Sequence, residues 1–337
     1  MEFTLIIPVF NRLEEVRELL ASAEAMDHPR TTFEFLFVDD GSTDGLTDFL
    51  DDYESPSGLQ VRYYRQANQG PGAARNNGMA QARGDYYIFL DSDILLPPEY
   101  LSTMAACLKE RPLDAFGGPD AAHPSFSDVQ KAINYAMTSP FTTGGIRGRK
   151  KQLDAFQPRS FNMGIARKVY ETVGGFSTIH PGEDPDLSLR IKKAGFSVGN
   201  YPELYVYHKR RIDFGKFRKQ VQKFGMVRNI LFKWHPGTMK AVYFLPAVFV
   251  LGSAFLVLLS LAWSAWFLLP LGLLALVLFL HALGQTRSLK IAALAVLASF
   301  IQLFGYGWGF LRTFVAVILL KKDERKAFPK LFFEKKA

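Results

Sequence analysis

The 337-residue chain predicts an α/β domain with a mostly parallel sheet, followed by an α-helical transmembrane region. Two observations carry that division. Through the first part of the chain, short runs rich in β-branched and aromatic residues alternate with amphipathic stretches of helix length, as in βαβ units. From residue 241 to 283 charge almost disappears, over segments near the length that crosses a bilayer. A third observation places a candidate site. The apolar run Tyr86-Tyr87-Ile88-Phe89-Leu90 stops at Asp91-Ser92-Asp93, and Phe33-Glu34-Phe35-Leu36-Phe37-Val38 stops at Asp39-Asp40-Gly41-Ser42. Buried parallel strands deliver such residues to the carboxyl edge of the sheet, where open α/β sheets bind ligands.

Residues 3–9 read as a buried strand. Asn11 is expected to cap the next helix, with Glu14 completing a capping box and Leu13, Val16, Leu19 and Leu20 on the apolar face. A second strand covers 33–38. The polar turn 39–45 follows, then a helix carrying Leu46, Phe49, Leu50 and Tyr53. A strand over 59–64, a helix over 71–83 and the strand 86–90 complete the alternation. Past Asp93 the periodicity loosens. Residues 139–158, with Thr142-Thr143-Gly144-Gly145, Arg147, Arg149, Lys150 and Lys151, read either as a solvated loop or as a lid that orders over an anionic ligand. Order returns at 160–165. The acidic turn Pro181-Gly182-Glu183-Asp184-Pro185-Asp186 opens a helix closed by Gly195, and the strand 204–207 runs into His208.

The expected division is a domain over 1–234 and a membrane region over 235–337. Residues 213–234 place Phe214, Phe217, Val221, Phe224, Val227, Leu231 and Trp234 at helical spacing among lysines and arginines. Such a helix lies in an anionic lipid interface or packs on the domain with a solvated basic face. Spans are expected at 242–262 and 265–283, joined by Trp263-Ser264. A third apolar segment, 291–320, is interrupted by Gly305-Tyr306-Gly307-Trp308-Gly309. One full span there would put the lysine-rich tail outside, against the positive-inside rule. A glycine-broken, re-entrant or interfacial pair of helices is therefore preferred, with both termini cytoplasmic.

The net charge of +8 argues for membrane lipid and against nucleic acid, because the basic residues crowd beside the apolar half. The single cysteine, Cys107, rules out an internal disulfide. Met1-Glu2-Phe3 leads into a strand without a basic n-region, so the first domain is expected on the cytoplasmic side of an inner membrane that the chain crosses more than once.

Residue chemistry sharpens the site. Asp91 and Asp93, one residue apart, can hold a hard divalent cation, and such a cation binds diphosphates. Arg75 follows Gly70-Pro71-Gly72 and suits a phosphate, or else pairs with a nearby acid. Asp184, with Glu183 and Asp186 as alternates, stands at a helix start. The helix dipole there is expected to lower its pKa and keep it ionised, and the plainer alternative is a helix cap. His208, a lone histidine at a strand end, reads by itself as structural.

Residues 3–11, Val38-Asp39-Asp40-Gly41-Ser42-Thr43-Asp44, Ala74-Arg75-Asn76-Asn77-Gly78, Asp91-Ser92-Asp93 and Gly182-Glu183-Asp184-Pro185-Asp186-Leu187 occur in one order. Together they resemble family 2 glycosyltransferases over about residues 3–230. The resemblance implies a GT-A (Rossmann-like) fold, a nucleotide-sugar donor, Mg²⁺ or Mn²⁺, and inversion at the anomeric carbon. It implies Asp40, then Asp39, at the nucleotide base, with Pro8, Arg75 and Asp91 also in the donor site. Asp93, with Asp91 and His208, would hold the metal, and Asp184 would take the acceptor's proton. The acceptor is expected near the membrane, as a lipid-linked or envelope glycan. A processive polysaccharide synthase is opposed by the lack of a Gln-x-x-Arg-Trp motif and by too few spans for a polymer channel. A non-catalytic nucleotide-binding membrane scaffold is opposed by the intact Asp40, Asp93 and Asp184.

Overall fold

The computed structural model describes residues 1–121, 126–143, 156–208 and 213–333. In chain order its main elements are β1 Phe3–Val9, α1 Leu13–Glu24, β2 Phe33–Asp39, α2 Leu46–Asp51, β3 Val61–Arg65, α3 Pro71–Gln81, β4 Tyr86–Leu90, β5 Ile94–Leu95, α4 Tyr100–Glu110, β6 Ala115–Gly117, β7 Asp120–Ala121, α5 Asp128–Thr138, α6 Pro140–Thr143, β8 Asn162–Ala166, α7 Arg167–Val173, α8 Glu183–Lys193, β9 Val198–Asn200, β10 Val206–His208, α9 Phe214–Trp234, α10 Leu245–Ala262, α11 Leu269–Thr286, α12 Leu289–Thr313 and α13 Glu324–Ala327. They form two compact units. One comprises Met1–His123, Phe156–Lys209 and Lys330–Ala337; the other comprises Pro124–Ala155 and Arg210–Pro329. The division therefore falls near residue 210 rather than at 234, and helix α5 joins the apolar helices.

The first unit is built on a seven-stranded sheet in the order β3-β2-β1-β4-β8-β6-β9. Strands β1, β2, β3 and β4 run parallel, with Leu5 opposite Phe35 and Val9 opposite Asp39. Strand β8 pairs antiparallel with both β4 and β6. Alternation along the strands feeds two cores. Leu5, Ile7, Phe35 and Phe37 point to the α1 side, while Ile6, Leu36 and Val38 point to the side of α3 and α8. Both faces are covered, which is why these strands read as continuous apolar runs. A second small sheet, β5-β10-β7, sits beyond the end of β4 and carries His208.

Helix α1 begins differently from expectation. Asn11 has φ +52 and does not cap it. Its carboxamide oxygen instead accepts from the Thr43 N–H at 2.8 Å, and its own N–H donates to Ser42 Oγ at 2.9 Å. The N–H of Leu13 donates to Asp44 at 2.8 Å, so the cap comes from the β2–α2 loop. The pattern read as a capping box is a tie between the loops after β1 and β2.

In the second unit, α10 and α11 are exposed apolar helices linked through Trp263 and Ser264. The third apolar segment is not broken. Helix α12 runs through all three glycines and continues as a π-helical stretch, Phe314–Leu319. The glycines serve packing. A Cβ at Gly305 or Gly309 would strike Val221 or the Gln222 carbonyl of α9, one at Gly225 would strike the Tyr306 carbonyl, and one at Gly307 would strike the Pro246 carbonyl of α10. Small residues let helix backbones approach in this way. Buried Asn229 fastens the pair by donating to the Phe310 carbonyl and to Thr313 Oγ, each at 2.9 Å. The apolar face of α9, with Phe217 and Val221, is thus covered by protein rather than offered to lipid. The first half of α12 lies on the end of α11 through Ala292, Ala295, Leu278 and Ala282. Its second half lies on the start of α10 through Phe304, Phe310, Phe249 and Ala247.

Candidate active site

The site lies at the carboxyl edge of β1, β2 and β4, within the first unit. Strand β2 delivers two adjacent acids with different surroundings. Asp39 is fully buried, accepts the Ser42 N–H at 2.8 Å and Thr47 Oγ at 3.3 Å, and faces Arg65 at 3.5 Å. It braces the turn. Asp40 accepts from the Gln69 N–H at 2.8 Å, the Gly70 N–H at 2.8 Å and Gln66 Nε2 at 2.7 Å. Burial pushes its carboxyl up, against those three donors. Asp40 lines a cavity of about 240 Å³ with Pro8, Val9, Phe10, Asn68, Gly70, Pro71 and Phe333. Pro8 and Asp40 thus meet in one pocket, while Asp39 turns inward.

Strand β4 ends at the second acidic turn. Asp93 lies 3.1 Å from His208 Nε2, and Asp91 lies 4.0 Å from it. One donor atom from each of the three falls within 4.8 Å of the others. The His208 ring stacks on Phe161 at 5.2 Å, which fixes its plane. Two carboxylates and an imidazole on converging backbones fit Mg²⁺ or, with its greater tolerance of nitrogen, Mn²⁺. The sequence placed the two acids; the antiparallel pairing of β10 with β5 brings the histidine to them.

Helix α3 explains its own motif. Gly78 leaves no room for a Cβ against Ile6, so the helix sits close on the sheet. Asn76 grips the backbone of Phe176 with both ends of its amide, at 2.7 and 2.9 Å. Arg75 is buried and joins two motifs distant in sequence, donating to Asp91 at 2.8 Å and to Glu183 at 3.1 Å. It is committed to these acids, the alternative that the sequence left open.

The three acids at the start of α8 are also distinguished by their partners. Glu183 is buried between Arg75 and His180, the latter at 3.2 Å. Burial alone would raise its pKa, but His180 and Arg75 overcome that and bring it to about 2. Asp186 is paired with Arg190 at 3.0 Å, one helical turn on. Asp184 has a longer ion pair, 3.6 Å to Arg159. Its pKa is raised by burial, with Glu183 adding to the rise and Arg159 opposing it. The direction is opposite to the lowering expected at a helix start: desolvation and Glu183 outweigh Arg159 and Arg75. The N-cap position belongs to Gly182, so Asp184 does not cap the helix.

Arg12 went unnoticed in the sequence. Its partly exposed guanidinium pairs with Glu15; burial opposes its charge, yet Glu15 and the charges of Asp93 and Asp91 raise its pKa. Arg159 and Phe333 were missed as well; nothing in their local sequence marks them. Of the segment 139–158, read as a solvated loop or a lid, residues 140–143 form α6 and residues 144–155 lie outside the described residues.

The model of glycosyl transferase family 2 matches residues 4–174. The chain is 36% identical over 114 residues to the poly(ribitol-phosphate) β-N-acetylglucosaminyltransferase TarS of Staphylococcus aureus, over 34% of this chain and 20% of that protein. Its match thus spans about a fifth of the length of that curated relative. It is 25% identical over 224 residues to the glycosyltransferase AglE of Haloferax volcanii, covering 66% of this chain and 71% of AglE. Among solved structures, the mannosyltransferase PcManGT of Pyrobaculum calidifontis, in complex with GDP-Man and Mn²⁺, superposes with a TM-score of 0.63 at 18% identity, over 89% of this chain and 87% of that one. That likeness establishes the GT-A fold.

Proposed function

The chain belongs to glycosyl transferase family 2, and from that premise we propose that it is a membrane-anchored, inverting glycosyltransferase. It would move a sugar from a nucleotide donor to a lipid-linked or envelope glycan. The observation that carries the reading is the convergence of Asp91, Asp93 and His208 on one point, in the same unit as the Asp40 cavity and the Asp184 turn. The metal-bound structure of PcManGT supports a cation at such a site.

Asp40 would accept a hydrogen bond from a ring N–H of the base, held in place by its three donors. Arg75 would position Asp91 and Glu183 rather than bind phosphate. Asp91, Asp93 and His208 would hold Mg²⁺ or Mn²⁺, which when bound supplies Lewis-acid neutralisation of the leaving diphosphate. Arg12 would add positive charge beside it. Asp184 would take the acceptor hydroxyl's proton as the new C1–O bond forms and the C1–diphosphate bond breaks. Its raised pKa makes it a stronger base than an ordinary aspartate.

The apolar helices support the anchor. In α10 and α11 only 11% of the apolar window is buried by protein, against 39% in the third segment. We infer that α10 and α11 cross the bilayer, and that α12 lies at their base on the face from which they depart and to which they return. Both chain ends would then share the cytoplasmic face, where nucleotide sugars are made.

A thermal-shift screen of nucleotide sugars with Mn²⁺ or with chelator tests the reading, since a ligand that binds the folded state raises its apparent stability. Stabilisation by one nucleotide sugar that disappears with chelator is expected. No shift with any donor in metal would overturn it.

A further inference from the structure

We propose that residues 331–333, at the far end of the chain, form part of the nucleotide site, with the Phe333 ring as the wall against which the donor's base lies. The proposal rests on the nucleotide-donor reading above.

The segment is fastened to the first unit by an isolated β-bridge and flanking backbone hydrogen bonds. The His180 N–H donates to the Leu331 carbonyl at 2.7 Å, and the Phe333 N–H donates to the Thr178 carbonyl at 2.9 Å. Phe332 bridges to Ile179 between them. Leu331 and Phe332 are buried, at 2% and 9% exposure, whereas the Phe333 ring reaches the cavity. That ring lies flat on Gly70, where any Cβ would collide with it. Gly70 is the residue whose N–H fixes Asp40 at 2.8 Å. The cavity therefore has a hydrogen-bonded carboxylate on one side and apolar faces, Phe333 and Pro8, on others.

A nucleobase presents a polar edge and two π-faces, and an aromatic side chain binds such a face whatever the base. Carboxylate and aromatic ring together suit that shape. The cavity stays open with Phe333 in place, so the ring is a wall and not a plug. The chain thus leaves the membrane helices and returns to complete the pocket that its first two strands began.

Calorimetry on the full-length protein in detergent, titrated with UDP and with GDP in MnCl₂, tests this. Phe333→Ala is expected to weaken the preferred diphosphate about tenfold or more, and Phe333→Tyr to hold it within about threefold. The melting temperature of Phe333→Ala should stay near wild type, separating lost stacking from unfolding. Phe333→Trp should add a tryptophan emission that the nucleotide quenches and wild type lacks. Unchanged affinity in Phe333→Ala would overturn the proposal, and tighter binding would show a plug and overturn it too. If wild type binds neither diphosphate, the nucleotide-donor reading fails and this one with it; if wild type binds and Phe333→Ala binds equally well, this one fails alone.

Discussion

Two pairs of neighbouring acids, Asp39-Asp40 and Glu183-Asp184, stand at the same edge of the sheet and have opposite fates. In each pair one acid is taken up by the fold. Asp39 braces its turn through Ser42 and Thr47, and Glu183 is held by Arg75 and His180. The other acid is held differently: Asp40 lines the cavity, and Asp184 has, among the described residues, the longer 3.6 Å ion pair to Arg159. Burial does not separate them, since Asp40 is only 3% exposed and Glu183 equally so. Within Glu183-Asp184 their partners do, a close buried pair against a longer contact. Within Asp39-Asp40 position does: both oxygens of Asp40 are also engaged by fixed donors, yet it lines the cavity.

Substituting within the Glu183-Asp184 pair should show the widest split. Asp184→Asn is expected to keep donor binding and lose transfer by about 10²–10⁴. In wild type the acid limb of kcat/KM should lie above the ordinary aspartate value of 3.8, because the pKa of Asp184 is raised and the base works only when deprotonated. Glu183→Gln should instead cost about 3 kcal/mol of stability by breaking a buried pair. The Glu183 contribution is fully present above pH 4.5 and lost as pH falls toward about 2, since its folded pKa is depressed. If Asp184→Asn transfers at near wild-type rate while Glu183→Gln folds and is inactive, the roles are reversed.

Asp39 and Asp40 extend the comparison with smaller effects. Asp39→Ala is expected to lower stability by about 1–3 kcal/mol, from the donors it strands. Asp40→Asn should weaken nucleotide binding roughly tenfold, as a charged acceptor becomes a neutral one. Denaturant melts and nucleotide titrations on both variants separate the two. Equal losses of affinity would show that the turn acts as one unit.

A topology test carries no free-energy change but sharpens the contrast between α12 and the hairpin before it. A cysteine placed at Ala337, in a Cys107→Ser background, should be labelled by an impermeant reagent in inverted vesicles and not in intact cells. Labelling from outside would make α12 a third full span.

Much of this was legible in the sequence, for identifiable reasons. Strands β1, β2 and β4 are short apolar runs, and β2 and β4 are ended by acid, so both the strands and the place of those acids at the carboxyl edge could be read directly. Asp91 and Asp93 are one residue apart, a spacing that itself predicts convergence. What escaped depends on contacts between distant segments. The partners of Glu183 are Arg75, 108 residues away, and His180. The family resemblance names His208 as a metal ligand, but what brings it to Asp93, the pairing of β10 with β5, is not visible in the sequence. The glycines of α12 look like breakers until α9 and α10 are seen against them. Asn11 fits a capping pattern, yet the Asp44 loop supplies the cap.

The central claim is that Asp91, Asp93 and His208 hold the cation through which the nucleotide binds. The most direct measurement is calorimetric titration of UDP and GDP into wild type and Asp93→Asn, in Mn²⁺ and in chelator. The account expects tight binding of one diphosphate by wild type in Mn²⁺, lost in chelator. In Asp93→Asn the loss should be at least the ~10–100-fold that follows from removing an outer-shell partner of a metal, because an amide is a poor ligand for a hard cation. Equal affinity with and without metal, or an Asp93→Asn variant that binds like wild type in Mn²⁺, would contradict it.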